Sequence, residues 1–384
     1  MRRALMYASV ASMIQQFNME NIRLLLEQGY EVDVACNMEQ GSTVTQEKIE
    51  AMKQELETMG VNVFHIPVPR NVTAVGGILK SFRASKQLMN ERNYSLIHCH
   101  SPIGGMVCRL ANRFSKGYGK TKMIYTAHGF HFYKGAPKKN WLMYYPVERI
   151  CGHFTDVLIT INREDFALAQ KFRLKKNGSV QYVPGIGLNL SAIEAAVEKR
   201  KDLCEECGIA SDSVLMLSVG ELNDNKNHGS VVSVLNQLPH NVHYLICGQG
   251  DNESQLESLA ESLGCGDRLH LLGYRGDVTS VMKSCDLYVF PSKREGLSVA
   301  LMEAMACGLP CFASNIRGNC DLITNSVNGM LLPLEDFGVA LVEQVGKIED
   351  LTKYKDQCRE ANKEIIQGFS EAVVQQCIGE IYAQ

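Results

Sequence analysis

The sequence predicts an α/β protein of two domains, each a doubly wound parallel sheet covered by helices on both faces. Three observations carry this. At 384 residues the chain exceeds the size at which a single hydrophobic core keeps growing. Short apolar, β-branched segments alternate with longer helical patterns almost from end to end, which is how parallel strands joined by crossover helices read. The alternation also runs as two series, interrupted once by the charged helical stretch LSAIEAAVEKRKDLCEECG at 190–208.

The first series offers seven strands: ALMYAS, EVDVAC, VNVFHI, LIHCH, KMIYTA, DVLIT and VQYVP. The second offers six: VLMLSVG, VHYLICG, LHLLG, LYVFPS, PCFAS and GMLLP. Most are near-continuous apolar runs, as expected of strands buried on both faces. The expected domains are 1–188 and 189–367. The end of the chain, FSEAVVQQCIGEIYAQ, reads as an amphipathic helix within 368–384. Ligands of doubly wound sheets bind beyond the carboxyl ends of the strands, so a cleft between the domains is the expected site.

Composition narrows the class. The chain is 45% apolar and 21% charged, ordinary for a globular protein. No run of about 18 apolar residues suggests a membrane span, and the start lacks a signal-type core. A cytoplasmic protein is expected. The 14 cysteines are scattered and often lie inside apolar runs, so they read as reduced core residues. Cys204 and Cys207 have CxxC spacing, but no second CxxC completes a four-ligand zinc site. Residues 1–188 carry 24 Lys and Arg against 14 Asp and Glu, while the remainder carries 15 against 28. A basic half suits an anionic partner, or is an excess on solvated faces. It contains no dense Lys/Arg run, which excludes the usual nucleic-acid footprint.

The most informative stretch is REGLSVALMEAMACGLP at 294–310. A strand ends at Pro291 and Ser292, and a helix pattern runs from about Ser298 to Gly308. Glu295 therefore lies on the strand-to-helix loop, and Glu303 lies about one and a half turns into the helix. Free amides at Leu297, Ser298 and Val299 favour an anion, above all a phosphate. A carboxylate on either side of a phosphate suits two sugars, since it accepts hydrogen bonds from paired hydroxyls. A sugar nucleotide has this layout.

EGLSVALME resembles the E-x7-E motif of the family 4 retaining glycosyltransferases, which have the GT-B double-Rossmann architecture, and the resemblance runs the length of the chain. It implies two domains facing across a cleft, with the C-terminal helix crossing back to the first. It also implies that Glu295 contacts the donor sugar, Glu303 the ribose hydroxyls, and Gly296, Leu297 and Ser298 the phosphates. SVGELNDNKNH resembles the family's phosphate-binding turn. Lys226 matches its lysine, as a group that neutralises the departing diphosphate, while Glu221 stands where an arginine is usual. Arg317, in SNIRGN, is the candidate substitute. GYRGDV resembles the turn placed against the nucleotide base, through backbone groups near Tyr274 and Arg275. CGQGD at 247–251 is too short for a dinucleotide fingerprint. In the first half, YTAHGFHF puts His128 where the family has a histidine near the donor sugar, as a hydrogen-bonding partner in the transition state.

His98, His100, His128 and His131 form a candidate four-histidine cluster, though no carboxylate or cysteine at reinforcing spacing supports a metal there. The resemblance implies no metal and no cofactor: the substrate is a nucleotide sugar, expected to be a UDP-sugar. Ser9 to Ser12 replace the family's frequent Gly-Gly turn and retain an approach to phosphate or acceptor. SMIQQFNMENI, HSPIGG and AHGFHFYKGAPKKNW look most like bacterial exopolysaccharide or capsule enzymes acting on lipid-linked saccharides. Lys134, Lys138 and Lys139 beside Trp141, Tyr144 and Tyr145 suit a lipid headgroup interface, or the aromatics pack inward as core. Two rivals are a nucleotide-sugar epimerase or hydrolase, and a non-catalytic nucleotide-sugar-binding scaffold.

Overall fold

The computed structural model describes residues 2–40 and 44–384. The first sheet contains β1 (Arg2–Val10), β2 (Tyr30–Asn37), β3 (Asn62–His65), β4 (Leu96–His100), β5 (Lys122–Ala127), β6 (Val157–Thr160) and β7 (Ser179–Tyr182). The second contains β8 (Val214–Val219), β9 (Val242–Cys247), β10 (Leu269–Leu271), β11 (Leu287–Phe290), β12 (Cys311–Ser314) and β13 (Gly329–Leu332). The orders are β3-β2-β1-β4-β5-β6-β7 and β10-β9-β8-β11-β12-β13, with parallel pairing throughout. Every expected strand segment forms a strand. Each sheet reverses direction of winding once, between β1 and β4 and between β8 and β11. Those switch points are where such sheets bind ligands.

Contacts divide the chain into two units, Met1–Ile186 with Val374–Gln384, and Gly187–Val373. The change-overs fall at 187 and 374 rather than at 189 and 368. The C-terminal helix Glu371–Ala383 straddles the second of them. The stretch expected as one helix at 190–208 is two, Leu190–Ala195 and Arg200–Cys207. Tertiary bonds at the break explain it: Lys199 N donates to Ser284 Oγ at 2.8 Å, and the Arg200 guanidinium reaches Ser284 O and Asp286.

Strand β1 shows how the first unit is held. Ala4 to Ala8 are fully buried, and alternate side chains enter opposite cores. Ala4, Met6 and Ala8 join Val32, Val34 and the C-terminal helix residues Val374, Ile378, Ile381 and Tyr382. Leu5 and Tyr7 join Ile97, Tyr125 and the aromatics Phe130 and Phe132 on the other face. Each fully buried Leu or Met contributes about 1.5–3 kcal/mol. The helices Pro102–Arg113 and Lys138–Gly152 are clamped through Arg109, which is 1% exposed. Its guanidinium lies 3.8 Å from the Tyr125 ring centroid and 2.8 Å from Glu148 Oε2. Gly105 permits this approach, because a Cβ there would stand 2.4 Å from the Tyr125 ring.

The Lys/Trp/Tyr segment resolves in favour of packing. Trp141 packs tilted and Tyr145 edge-on against Phe132, and Tyr145 meets Phe172. The apolar residues turned outward on that helix are Leu142, 81% exposed, Met143 and Ile150. Among the described residues no helix is long and apolar enough to cross a membrane.

Candidate active site

At the switch point of the second sheet, two loops lie against each other. The loop after β8, Gly220–His228, is built by its asparagines. Asn223 Oδ1 accepts from the amides of Asn225 and Lys226, each at 3.0 Å, a side chain closing a turn on its own backbone. Asn227 takes the left-handed conformation at φ 58°. Asn225 and Asn227 then donate to the carbonyls of Arg294 and Pro291 at 3.1 Å each, and Lys293 N donates to Asn225 O at 2.7 Å. These bonds fasten the Lys226 loop to the loop after β11. A third loop closes in from β9. A Cβ at Gly248 would stand 1.8 Å from Gly220 O, and one at Gly250 would stand 2.4 Å from Leu222 O. The glycines of CGQGD thus serve backbone packing.

The stitching sets the charges. Lys226 Nζ lies 2.8 Å from Glu295 Oε1 and 4.9 Å from the Phe290 ring centroid. Arg317 is 8% exposed, and its Nε donates to Glu295 O at 3.2 Å. Gly318, at φ 82°, brings that loop in: a Cβ there would stand 2.3 Å from Gly296 O. Arg317 therefore sits at the Glu295 loop, with Nε spent on its backbone. Ser298 caps the helix Val299–Ala306, its Oγ accepting from Leu301 N at 3.3 Å. The amides of Gly296, Leu297, Ser298, Val299 and Ala300 donate no hydrogen bond among the described residues. A helix start with unspent amides carries partial positive charge.

Glu303 lies one turn further along, half-buried and without an ion pair among the described residues. Burial raises its pKa above the usual carboxylate range. Glu221 is exposed. Tyr274 is 69% exposed. The Arg275 side chain is held by Glu206 at 2.7 Å and Asp277 at 2.9 Å, so its guanidinium is already engaged within the protein. Cys204 and Cys207 are free thiols, Cys204 buried.

At the switch point of the first sheet a cleft of about 510 Å³ is lined by Ser9, Arg70, Ser101, Ile103, His131 and Tyr144, among others. Ser9 Oγ accepts from Gly104 N at 3.0 Å, so this hydroxyl already caps the helix Pro102–Arg113. Next to it, His98 Nδ1 lies 2.7 Å from Tyr382 Oη, and its Nε2 lies 2.8 Å from Thr126 Oγ1. His100 Nδ1 lies 3.0 Å from His128 Nε2. Burial depresses all three imidazoles, His98 to about 3 and His128 to about 4, with His100 well below its ordinary value. All three are neutral at pH 7. His131 stands apart, its ring 4.6 Å from that of Tyr144, so the expected four-histidine cluster is three.

Two family models match: "Glycosyl transferases group 1" over residues 199–365 and "Glycosyl transferase 4-like" over 8–162. "Putative glycosyltransferase EpsD" of Bacillus subtilis (strain 168) is 32% identical over 390 residues, covering 100% of this chain and 96% of that protein. The chain belongs to the family 4 glycosyltransferases of the GT-B type. The transferase is also 26% identical, over 93% of its length and 90% of the relative's, to the UDP-Gal:alpha-D-GlcNAc-diphosphoundecaprenol alpha-1,3-galactosyltransferase of Escherichia coli. Among solved structures, HepE of Anabaena in complex with UDP-glucose shares the fold at a TM-score of 0.76 and 18% identity, covering 99% of both chains. This glycosyltransferase thus has bacterial polysaccharide enzymes among its relatives.

The asparagine scaffold, the glycine contacts at 248, 250 and 318, and the direct His100–His128 bond escape a reading of the sequence. NDNKN is the one signal that points to the first, since asparagine clusters build turns.

Proposed function

We propose that this glycosyltransferase moves a hexose or N-acetylhexosamine from a UDP-sugar to a hydroxyl of a lipid-linked saccharide, with retention at the anomeric carbon, in exopolysaccharide or capsule assembly. The observation that carries the donor half is the Lys226–Glu295 pair beside five unspent amides at a switch point. In this reading Lys226 and the amides of Gly296 to Ala300 stabilise the departing diphosphate. Glu295 holds the transferred sugar, with Arg317 fixing its backbone, and Glu303 takes the ribose hydroxyls. Backbone groups at Tyr274 and Arg275 meet the base. His128 hydrogen-bonds the sugar as positive charge develops at the anomeric carbon. The chain's own cations and amides do what a divalent metal would otherwise do.

The lipid-linked acceptor is supported by the diphosphoundecaprenol-linked acceptor in the name of the Escherichia coli relative and by the basic first half of the chain. The cleft with Arg70 on its rim suits a phosphate-bearing acceptor. Lys134, Lys138 and Lys139, with the outward Leu142 and Met143, suit peripheral contact with an anionic membrane face.

Thermal-unfolding titration of the wild type and Glu303→Ala with UDP, GDP, ADP and NAD tests the donor. A ligand at about a hundred times its Kd adds roughly 2.7 kcal/mol. The expected result is stabilisation by UDP that Glu303→Ala loses. Stabilisation by NAD alone, or equal responses from both proteins, overturns the reading.

A further inference from the structure

The three neutral histidines, two on β4 and one just after β5, differ in how their ring nitrogens are used. His98 uses both within the protein, on Tyr382 and Thr126. His100 uses Nδ1 on His128 Nε2, and its own Nε2 is buried without a partner among the described residues. His128 then has Nδ1 left, which makes no hydrogen bond among the described residues. The rings are held in place as well: His98 packs on His100 with centroids 4.2 Å apart, and Phe17 lies 5.9 Å from His128.

A neutral His–His hydrogen bond has two arrangements. In one, His128 Nε2–H donates to His100 Nδ1, and the proton of His100 must sit on the buried, unpartnered Nε2. In the other, His100 Nδ1–H donates to His128 Nε2, and the unpartnered Nε2 of His100 is a bare acceptor. Orphaned buried N–H groups are the rarer defect in folded proteins, and a lost donor bears its full desolvation penalty. The second arrangement is favoured, and it forces the proton of His128 onto Nδ1, because the bond made by one imidazole nitrogen sets the state of the other.

We propose that His100 is a positioning residue that fixes His128 as the Nδ1–H tautomer, so that His128 meets the substrate as a neutral hydrogen-bond donor through Nδ1. This rests on the proposed function only in taking the group opposite Nδ1 to be substrate. A neutral donor suits a centre that develops positive charge, since it binds a sugar oxygen without placing a cation beside the anomeric carbon.

Two-bond ¹H–¹⁵N correlation spectra of the full chain labelled with ¹⁵N-histidine test the tautomer directly. The expected wild-type spectrum has His128 protonated at Nδ1 and bare at Nε2; a proton on Nε2 overturns the proposal, whatever the variants do. Kinetics supply the second reading. His100→Asn keeps an N–H near the position of Nδ1 and is expected to stay within about tenfold of wild-type kcat. His100→Phe is expected to lose roughly a hundredfold in kcat, the cost of one misaligned donor, with little change in the donor KM. Equal losses in the two variants count against the tautomer role. His128→Phe separates the two layers: unchanged kcat there sinks the assignment of His128 to the substrate, while the spectrum still judges the tautomer.

Discussion

Two ion pairs in this molecule have the same 2.8 Å separation and different surroundings. Arg109 and Glu148, in the first unit, are 1% and 7% exposed, and Lys226 and Glu295, in the second, are 20% and 15% exposed. Arg109 is enclosed: beyond Glu148 it donates to Gly105 O at 2.9 Å and stacks on Tyr125, whose hydroxyl donates to the same carboxylate. Lys226 has Glu295 and the face of Phe290, next to a helix start with unspent amides. The distance is uninformative. What separates a structural pair from a candidate functional one is whether the groups around it are already used, and whether it stands at a topological switch point.

Breaking the first pair should have the larger effect on the molecule. Glu148→Ala leaves the Arg109 charge buried and unpaired, which costs roughly 3–5 kcal/mol. Urea unfolding is expected to show that loss, whereas Arg109→Met with Glu148→Leu in one chain is expected to recover most of it, because similar apolar volume replaces a desolvated pair. A single Glu148→Ala cost under about 1 kcal/mol, typical of exposed pairs, would remove the contrast.

The second pair should fail in the opposite way. Lys226→Met keeps the apolar stem against Phe290 and deletes only the charge. Its expected signature is a fall in kcat of about 10²–10³-fold, the range for losing one group that stabilises developing charge, with a smaller stability change than Glu148→Ala. Unfolding and single-turnover measurements on the same preparation separate the two. A variant that loses stability but keeps kcat within about tenfold would put Lys226 in the same class as Arg109.

This contrast was half legible in the sequence. All thirteen strands could be read, because strands buried on both faces leave near-continuous apolar runs such as VLMLSV and LYVF. The strand end at Pro291 and the helix pattern from Ser298 placed Glu295 on a loop and Glu303 within a helix, since periodicity within one element is a local property. What could not be read was how separate loops meet. Asn225 and Asn227 reach residues more than sixty positions away. His100 and His128 are joined across two strands while His131, three residues on, turns to Tyr144. For Trp141 and Tyr145 the sequence left a lipid-facing and a core reading open, and the helix turns them to Phe132 and exposes Leu142 instead. Which face of a helix is buried depends on the partner as well as the pattern.

The smallest expected effect sharpens the comparison most, because it separates a site from a scaffold within one helix. Glu303 is held half-buried without a cation among the described residues, and burial raises its pKa. A carboxyl whose folded pKa lies above its unfolded value binds its proton longer in the folded state, so stability falls as pH rises through the window between the two. Glu303→Gln removes that penalty and keeps the shape. A modest rise in Tm is expected at pH 7 and above, shrinking as pH falls through the raised pKa and gone below the ordinary carboxylate value of 4.5. The same variant should weaken UDP binding, since an amide replaces one of the acceptor oxygens offered to the ribose hydroxyls. A protein that becomes more stable and binds its donor less well shows a carboxylate kept for its ligand at the expense of the fold. If Glu303→Gln instead lowers Tm at neutral pH, the carboxylate belongs to the scaffold, and the ribose contact must be sought elsewhere on the loop after β11.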